Sequence, residues 1–319
     1  MILVTGGTGF IGRHLVPELV LRPESVRVLV RDEDRARGLP RAAERARGDL
    51  RDPDSMAAAL TGVRAVVHLA AVMDGVPDHV FGMQTANVEG TRGLVQAAVA
   101  AGVEHFVHVS SAGVYGSRHT TEPFTESDQP QPTTAYEQTK LAAERVVRDE
   151  TRVWTVLRPT GVFGPGRAQT ELFLRTVASR RVWFFGGTDT LFNPVYVGDV
   201  VAAVVRSLES GDARGEIINV GGERVLSYRD LVKAWAATLG AEVYHVRVPR
   251  AVTRTGAGIA GAVYGTMGRS LPARLAQMAH PVVNRAVTID KARRLGVTPT
   301  PLEAAMSATV EQMRAGRQA

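Results

Sequence analysis

The sequence predicts an α/β protein, a doubly wound parallel sheet with a smaller, mainly helical C-terminal lobe. Three observations carry this. Short apolar runs alternate with helical patterns through the first half of the chain, the signature of strands buried on both faces by crossover helices. A glycine trio, Gly6, Gly9 and Gly12, stands between the first apolar run and the first helix. The 319 residues are 45% hydrophobic and 22% charged, which suits a large packed core and not a disordered chain.

The elements follow in order. Ile2-Leu3-Val4-Thr5 reads as the first strand, and a helix follows over about 11–21. Residues 26–30 form the second strand, and a short third one ends near Gly48-Asp49. Residues 65–69 and 105–109 are the fourth and fifth, separated by a helix over about 91–101 that Gly102 closes. Residues 153–157 are the sixth. Right-handed crossovers between such strands give a Rossmann-type sheet. Beyond Gly161 the pattern loosens into a helix over about 170–179, a strand over 182–185, a helix over 199–209 and a strand over 216–220. From Ser227 the tail reads as mainly helical. The expected division is a dinucleotide-binding domain over 1–165, to which 190–220 returns, and a substrate lobe from 166–189 and 221–319.

Composition excludes several functions. There is no cysteine, hence no disulfide, thiolate metal site or cysteine nucleophile. No His, Asp and Glu cluster has metal-ligand spacing. The net charge of +6 resides in one acid-free segment, 243–289, which holds six arginines, so the chain carries no general nucleic-acid coat. No apolar run is long enough to span a membrane and no leader pattern opens the chain, so a cytoplasmic protein is expected.

Four sites carry chemistry. Glycines 6, 9 and 12 permit a tight turn and close approach of a diphosphate to the N-terminus of the first helix, with Phe10 and Ile11 in its first turn. At the end of the second strand, Arg31 occupies the place where an acid would read an NAD ribose, which favours NADP over NAD; Asp32 is a displaced ribose partner. Asp49 and Leu50, after the third strand, would flank the adenine. Tyr136 and Lys140, four apart, share a helix face, and a nearby ammonium would lower the phenol into a useful acid–base range. Lys140 is one of only three lysines in the chain, which sets it apart from an ordinary helix face. Ser110 and Ser111 close the fifth strand, where open α/β sheets bind ligands.

Together, Gly6-x-x-Gly9-x-x-Gly12, Ser111 and Tyr136-x-x-x-Lys140 resemble the extended short-chain dehydrogenase/reductases, the NAD-dependent epimerase/dehydratase family. His68-Leu69-Ala70-Ala71, Asn87-Val88-Glu89-Gly90-Thr91 and Leu157-Arg158-Pro159-Thr160-Gly161-Val162 resemble further family motifs, and Ser111 stands the expected 25 residues before Tyr136. The resemblance implies that Tyr136 is the acid/base, that Lys140 lowers its pKa and holds the nicotinamide ribose, and that Ser111 polarises the substrate carbonyl. It implies that Asn87 helps to position this network, and that Leu69, Ala70, Ala71, Ser110, Pro159, Thr160 and Val162 line the cofactor. It also implies a homodimer through helices over 88–101 and 135–149.

Departures from the family's sugar-nucleotide pattern narrow the reaction. Gly161 stands where many epimerases place an Asn on the substrate diphosphate. Ala112-Gly113 stand where dehydratases carry an acid pair. The pattern is nearest to 3β-hydroxysteroid dehydrogenase-like and dihydroflavonol-reductase-like members. The expected activity is therefore interconversion of a ketone and a secondary alcohol on an apolar small molecule. The alternatives are an NAD-dependent epimerase and a non-catalytic NADP-binding sensor. Residues 249–280, apolar among glycines and arginines, read either as a lid or as lobe core. His68 and His108 read as satisfied core residues, and Glu122, Glu126 and Asp128 as solvated.

Overall fold

The computed structural model describes residues 1–73, 82–116, 122–179, 181–185, 191–242, 244–248 and 284–315, and the single positions 255, 258, 259 and 264. Residues 249–280, read either as a lid or as lobe core, lie almost wholly outside them. The chain begins β1 Ile2–Thr5, α1 Phe10–Val20, β2 Val26–Val30, α2 Glu33–Ala36, β3 Glu44–Arg47, α3 Pro53–Ala59 and β4 Ala65–His68. A π-helix over Gln84–Glu89 runs directly into α4, Gly90–Ala100, and β5 His105–Val109 follows. A 3-10 turn at Ala112–Tyr115, α5 Ala135–Glu150 and β6 Trp154–Pro159 complete the first half.

The second half holds β7 Val162–Phe163, α6 Ala168–Ala178, β8 Arg181–Phe185, β9 Leu191–Phe192, β10 Val195–Tyr196 and α7 Val197–Glu209. Then come β11 Glu216–Val220, β12 Leu226–Ser227, α8 Tyr228–Leu239, β13 Tyr244–Val248, α9 Asp290–Arg294 and α10 Leu302–Ala315.

Seven strands pair in parallel in the order β11-β6-β5-β4-β1-β2-β3. The chain runs outward from β1 to β3, then returns to β4 on the other side of β1. The order therefore reverses between β1 and β4, the place where open α/β sheets bind their ligands. Central strands β1, β4 and β5 are buried throughout, hence their nearly unbroken apolar runs. The edge strand β3, Glu-Arg-Ala-Arg, is mostly exposed, and its charges blunt the edge.

Each sheet face carries its own core. Leu15, Val16 and Leu19 of α1 pack with Val200 and Val204 of α7 on one face. Leu94 and Val95 of α4 pack with Leu60, Phe106 and Val147 on the other. A third cluster, Phe163, Leu174, Trp235, Leu302 and Met306, lies off the sheet. Strand β13 was not expected in the tail. It pairs in parallel with β8, a partner distant in sequence.

Candidate active site

The site begins at the glycine loop between β1 and α1. Gly6 has φ 73°, and a Cβ there would stand 2.7 Å from the Ala70 backbone nitrogen, so only glycine fits against the β4 exit. A Cβ on Gly12 would meet the Gly6 carbonyl at 2.4 Å. Gly9 differs: its Cβ would meet only the Gly6 carbonyl, at 3.1 Å, so its other side is open to a ligand. Gly9 caps α1 without a side-chain bond, which leaves the first N–H groups of the helix to an outside acceptor. Phe10 and Ile11 stand in that first turn, and Leu69-Ala70-Ala71 follow β4 beside it. This cradle fits a dinucleotide diphosphate.

At the end of β2, the Arg31 side chain is 63% exposed and its guanidinium lies 4.0 Å from Asp49. Asp49 is held closer by Arg51, at 3.0 and 2.8 Å, and these bonds pull its carboxyl down to about 2. Asp32 is the N-cap of α2, accepting through Oδ1 alone from the Asp34 and Arg35 amides at 2.9 and 3.4 Å. Leu50 packs against Gly90 at the start of α4.

Tyr136 stands in the first turn of α5. A capping box fixes that turn: Thr134 Oγ1 accepts from the Glu137 amide at 3.2 Å, and Glu137 Oε2 accepts from the Thr134 amide at 3.1 Å. Arg285 donates to Glu137 Oε1 at 3.0 Å. One turn on, Lys140 is buried, and its Nζ donates to the Val109 carbonyl at 2.9 Å and to His108 Nε2 at 3.4 Å. Burial lowers its pKa to about 8, against the opposing pull of Glu144. Ser111 caps the 3-10 turn. Its Oγ accepts from the Gly113 amide at 3.0 Å, which leaves its own O–H to donate. Ser110 Oγ, buried beside it, has no hydrogen-bond partner among the described residues.

A directed chain of hydrogen bonds ties these elements together. Thr91 Oγ1 donates to the Asn87 carbonyl at 2.6 Å, so it accepts from His68 Nε2 at 2.9 Å. His68 Nδ1 is then the acceptor for Thr5 Oγ1 at 2.6 Å. Asn87 clasps the Val72 backbone through both amide atoms and donates to Thr139 Oγ1 at 3.1 Å; Thr139 donates to the Tyr136 carbonyl at 2.8 Å. The end of β1 is thus tied to the turn that carries Tyr136.

Of the other expected cofactor residues, Pro159 ends β6, Thr160 Oγ1 donates to the Asn193 carbonyl at 2.7 Å, and Val162 pairs with Val195. Two expectations need correction. His108 is not a satisfied core residue, since its Nδ1 has no hydrogen-bond partner among the described residues. Glu126 is not solvated: its Oε1 accepts from the Asn219 amide at 2.9 Å, because its loop folds back over β11. Sequence reading also passed over Arg167, whose half-buried guanidinium lies 5.5 Å from the Phe10 ring and within electrostatic reach of Tyr136. The buried ion pair of Glu144 and Arg158 behind Lys140 was likewise not anticipated. Among the described residues no group of His, Asp or Glu could hold a metal, and no helix is long and apolar enough to cross a membrane.

Residues 2–221 match the NAD dependent epimerase/dehydratase family. The chain belongs to that family. It is accordingly an enzyme built to use an NAD(P) dinucleotide. It is 37% identical over 241 residues to sterol demethylase protein B of Methylococcus capsulatus, covering 69% of each chain. It is 28% identical over 287 residues to the decarboxylating sterol-4-alpha-carboxylate 3-dehydrogenase of Candida albicans, covering 80% of this chain and 79% of that one. Among solved structures, the UDP-glucose 4-epimerase of Thermotoga maritima with UDP-glucose superposes with a TM-score of 0.79 at 26% identity, over 99% of both chains. The fold is thus shared by both reaction types, and the site residues must choose between them.

Proposed function

We propose that this enzyme is an NADP-linked dehydrogenase or reductase that interconverts a ketone and a secondary alcohol on an apolar, sterol-like molecule. The observation that carries the reading is the buried Lys140, held by the β5 carbonyl one helical turn from Tyr136 and next to the Ser111 strand end. The dinucleotide, when bound, supplies or accepts the hydride. The Lys140 charge lowers the Tyr136 phenol, Tyr136 moves the proton at the reacting oxygen, and the Ser111 hydroxyl donates to that same oxygen. In the oxidation direction, the Tyr136 phenolate takes the alcohol proton as the hydride leaves carbon.

Gly9, Phe10 and Ile11 would hold the diphosphate, and Arg31, exposed at the β2 end, would meet a ribose 2′-phosphate. We assign the third core cluster and α6, α8 and α10 to the substrate lobe. A homodimer through the α4 and α5 faces and a cytoplasmic location complete the reading.

The epimerase alternative has support in the similarity to UDP-glucose 4-epimerase. Gly161 argues against it: the position is exposed and offers no side chain to a sugar diphosphate. The sterol enzymes among the relatives favour an apolar substrate. The test is incubation with a 3-hydroxysterol and NADP⁺, following NADPH. Oxidation that Tyr136→Phe slows by about 10²–10⁴ supports the proposal. NAD that stays with the purified protein, together with turnover of a UDP-sugar and none of sterol, replaces it with the epimerase.

A further inference from the structure

Behind Lys140 lies a buried polar layer that the proton-transfer reading leaves unused. His68 on β4 and His108 on β5 are direct partners in the sheet register. Their ring centroids are 5.2 Å apart, and both residues are fully buried. Their surroundings differ. His68 has a hydroxyl on each nitrogen, with its tautomer fixed by the Thr91 bond. His108 has Lys140 Nζ at Nε2 and, among the described residues, no hydrogen-bond partner at Nδ1. A buried ring nitrogen without a partner is a standing cost, and the immediate neighbours of His108 on β5, Val107 and Val109, are apolar. An apolar side chain at 108 would avoid that cost.

We propose that His108 is a positioning residue for Lys140. An ammonium has three N–H donors and no acceptor. One goes to the Val109 carbonyl at 2.9 Å and a second to His108 Nε2 at 3.4 Å, so the third is left for the site. Because an ammonium only donates, His108 must offer a lone pair at Nε2 and carry its proton at Nδ1, the atom without a partner. Two fixed acceptors orient the ammonium, and tetrahedral geometry then sets the direction of the remaining N–H.

The charged and titratable groups around this lysine are Tyr136 and Glu144 on α5, Arg158 on β6 bound to Glu144, His68 on β4 and His108 on β5. Burial and the Lys140 charge keep both imidazoles neutral far below the ordinary histidine range. His108 is therefore a constant acceptor over the pH range in which Lys140 titrates.

The inference rests on the reading of Tyr136 and Lys140 as an acid–base pair. It is tested without a substrate, on the full chain, by tyrosinate absorbance against pH. The Tyr136 contribution is the difference between each protein and its Tyr136→Phe counterpart. In His108→Phe the Lys140 ammonium loses an acceptor, its pKa falls further, and the Tyr136 midpoint rises by about one unit. NADPH binding, followed by protein fluorescence, weakens by about tenfold in the same variant. His108→Gln, whose Oε1 accepts in nearly the same place, restores most of both.

In a Lys140→Met background neither His108 variant changes the midpoint. An unchanged midpoint in His108→Phe overturns the proposal, as does a His108→Gln that shifts as far as His108→Phe. Should His108→Phe not fold, His108→Val takes its place in the same comparison. Equal midpoints in wild type and Lys140→Met overturn the acid–base reading itself, and this inference with it.

Discussion

Glu144→Gln should destabilise the protein more than most single substitutions. Glu144 and Arg158 are buried, joined by two bonds of 3.0 and 2.6 Å. Arg158 also lies 4.9 Å from the Tyr115 ring centroid, and its Nη1 has no hydrogen-bond partner among the described residues. Burial alone would push the guanidinium down, but Glu144 more than offsets it and holds the pKa above its ordinary value. Removing the carboxylate charge leaves an uncompensated cation in the core, at a cost of about 3–5 kcal/mol. An unfolding entropy of roughly 2.1 cal/mol/K per residue over 319 residues converts that to a fall in Tm of about 4–7 °C.

Thermal and urea unfolding of wild type, Glu144→Gln, Arg158→Met and the double variant would measure it. The double variant should regain at least about half of the summed losses, since it removes both charges. A Glu144→Gln protein within about 1 °C of wild type, or a double variant as unstable as the sum of the singles, would refute the reasoning.

Other expectations follow from the same geometry. Tyr136→Phe should lose turnover while keeping NADPH affinity within about threefold, and a parallel loss of affinity would mean that the phenol serves binding. Arg31→Ala should erase a preference for NADPH over NADH worth about 10–100-fold, as read by paired titrations; no preference in wild type would remove Arg31 from the cofactor site. His68 has its pKa lowered from 6.5 to about 3, first by burial and then by Lys140. The unfolded chain therefore binds more protons across that window, so stability rises with pH from about 3 to 6.5 and is lost as pH falls. His68→Gln should flatten this slope in urea midpoints, and an equally steep slope would show that other groups set it.

The parallel sheet was legible because burial on both faces demands unbroken apolar runs, and β1, β2 and β5 were placed to the residue. Gly12 was legible because its constraint, the Gly6 carbonyl, lies within the same loop, whereas the contact of Gly6 with the Ala70 backbone is long-range. The juxtaposition of Tyr136 with Lys140 follows from helical periodicity alone. What escaped depends on partners distant in sequence. The bond of Glu144 to Arg158 exists only through the register of α5 on β6. The state of His108 depends on how far Lys140 reaches across β5. The capping role of Asp32 also escaped, because the short helix α2 that it starts has too few residues to show a period.

The π-helix at Gln84–Glu89 has a consequence for tolerance to length change. An i→i+5 turn holds one residue more than the α-turn it replaces. That extra residue lets α4 keep its packing phase on Phe106 while Asn87 turns its amide toward Val72 and Thr139. Deleting a single residue there would relax the segment to an α-helix and swing Asn87 by about 100° around the axis. Helicity would survive while the amide left its partners. Over these six residues, chain length acts as an aiming device, and variation in sequence is better tolerated than variation in count.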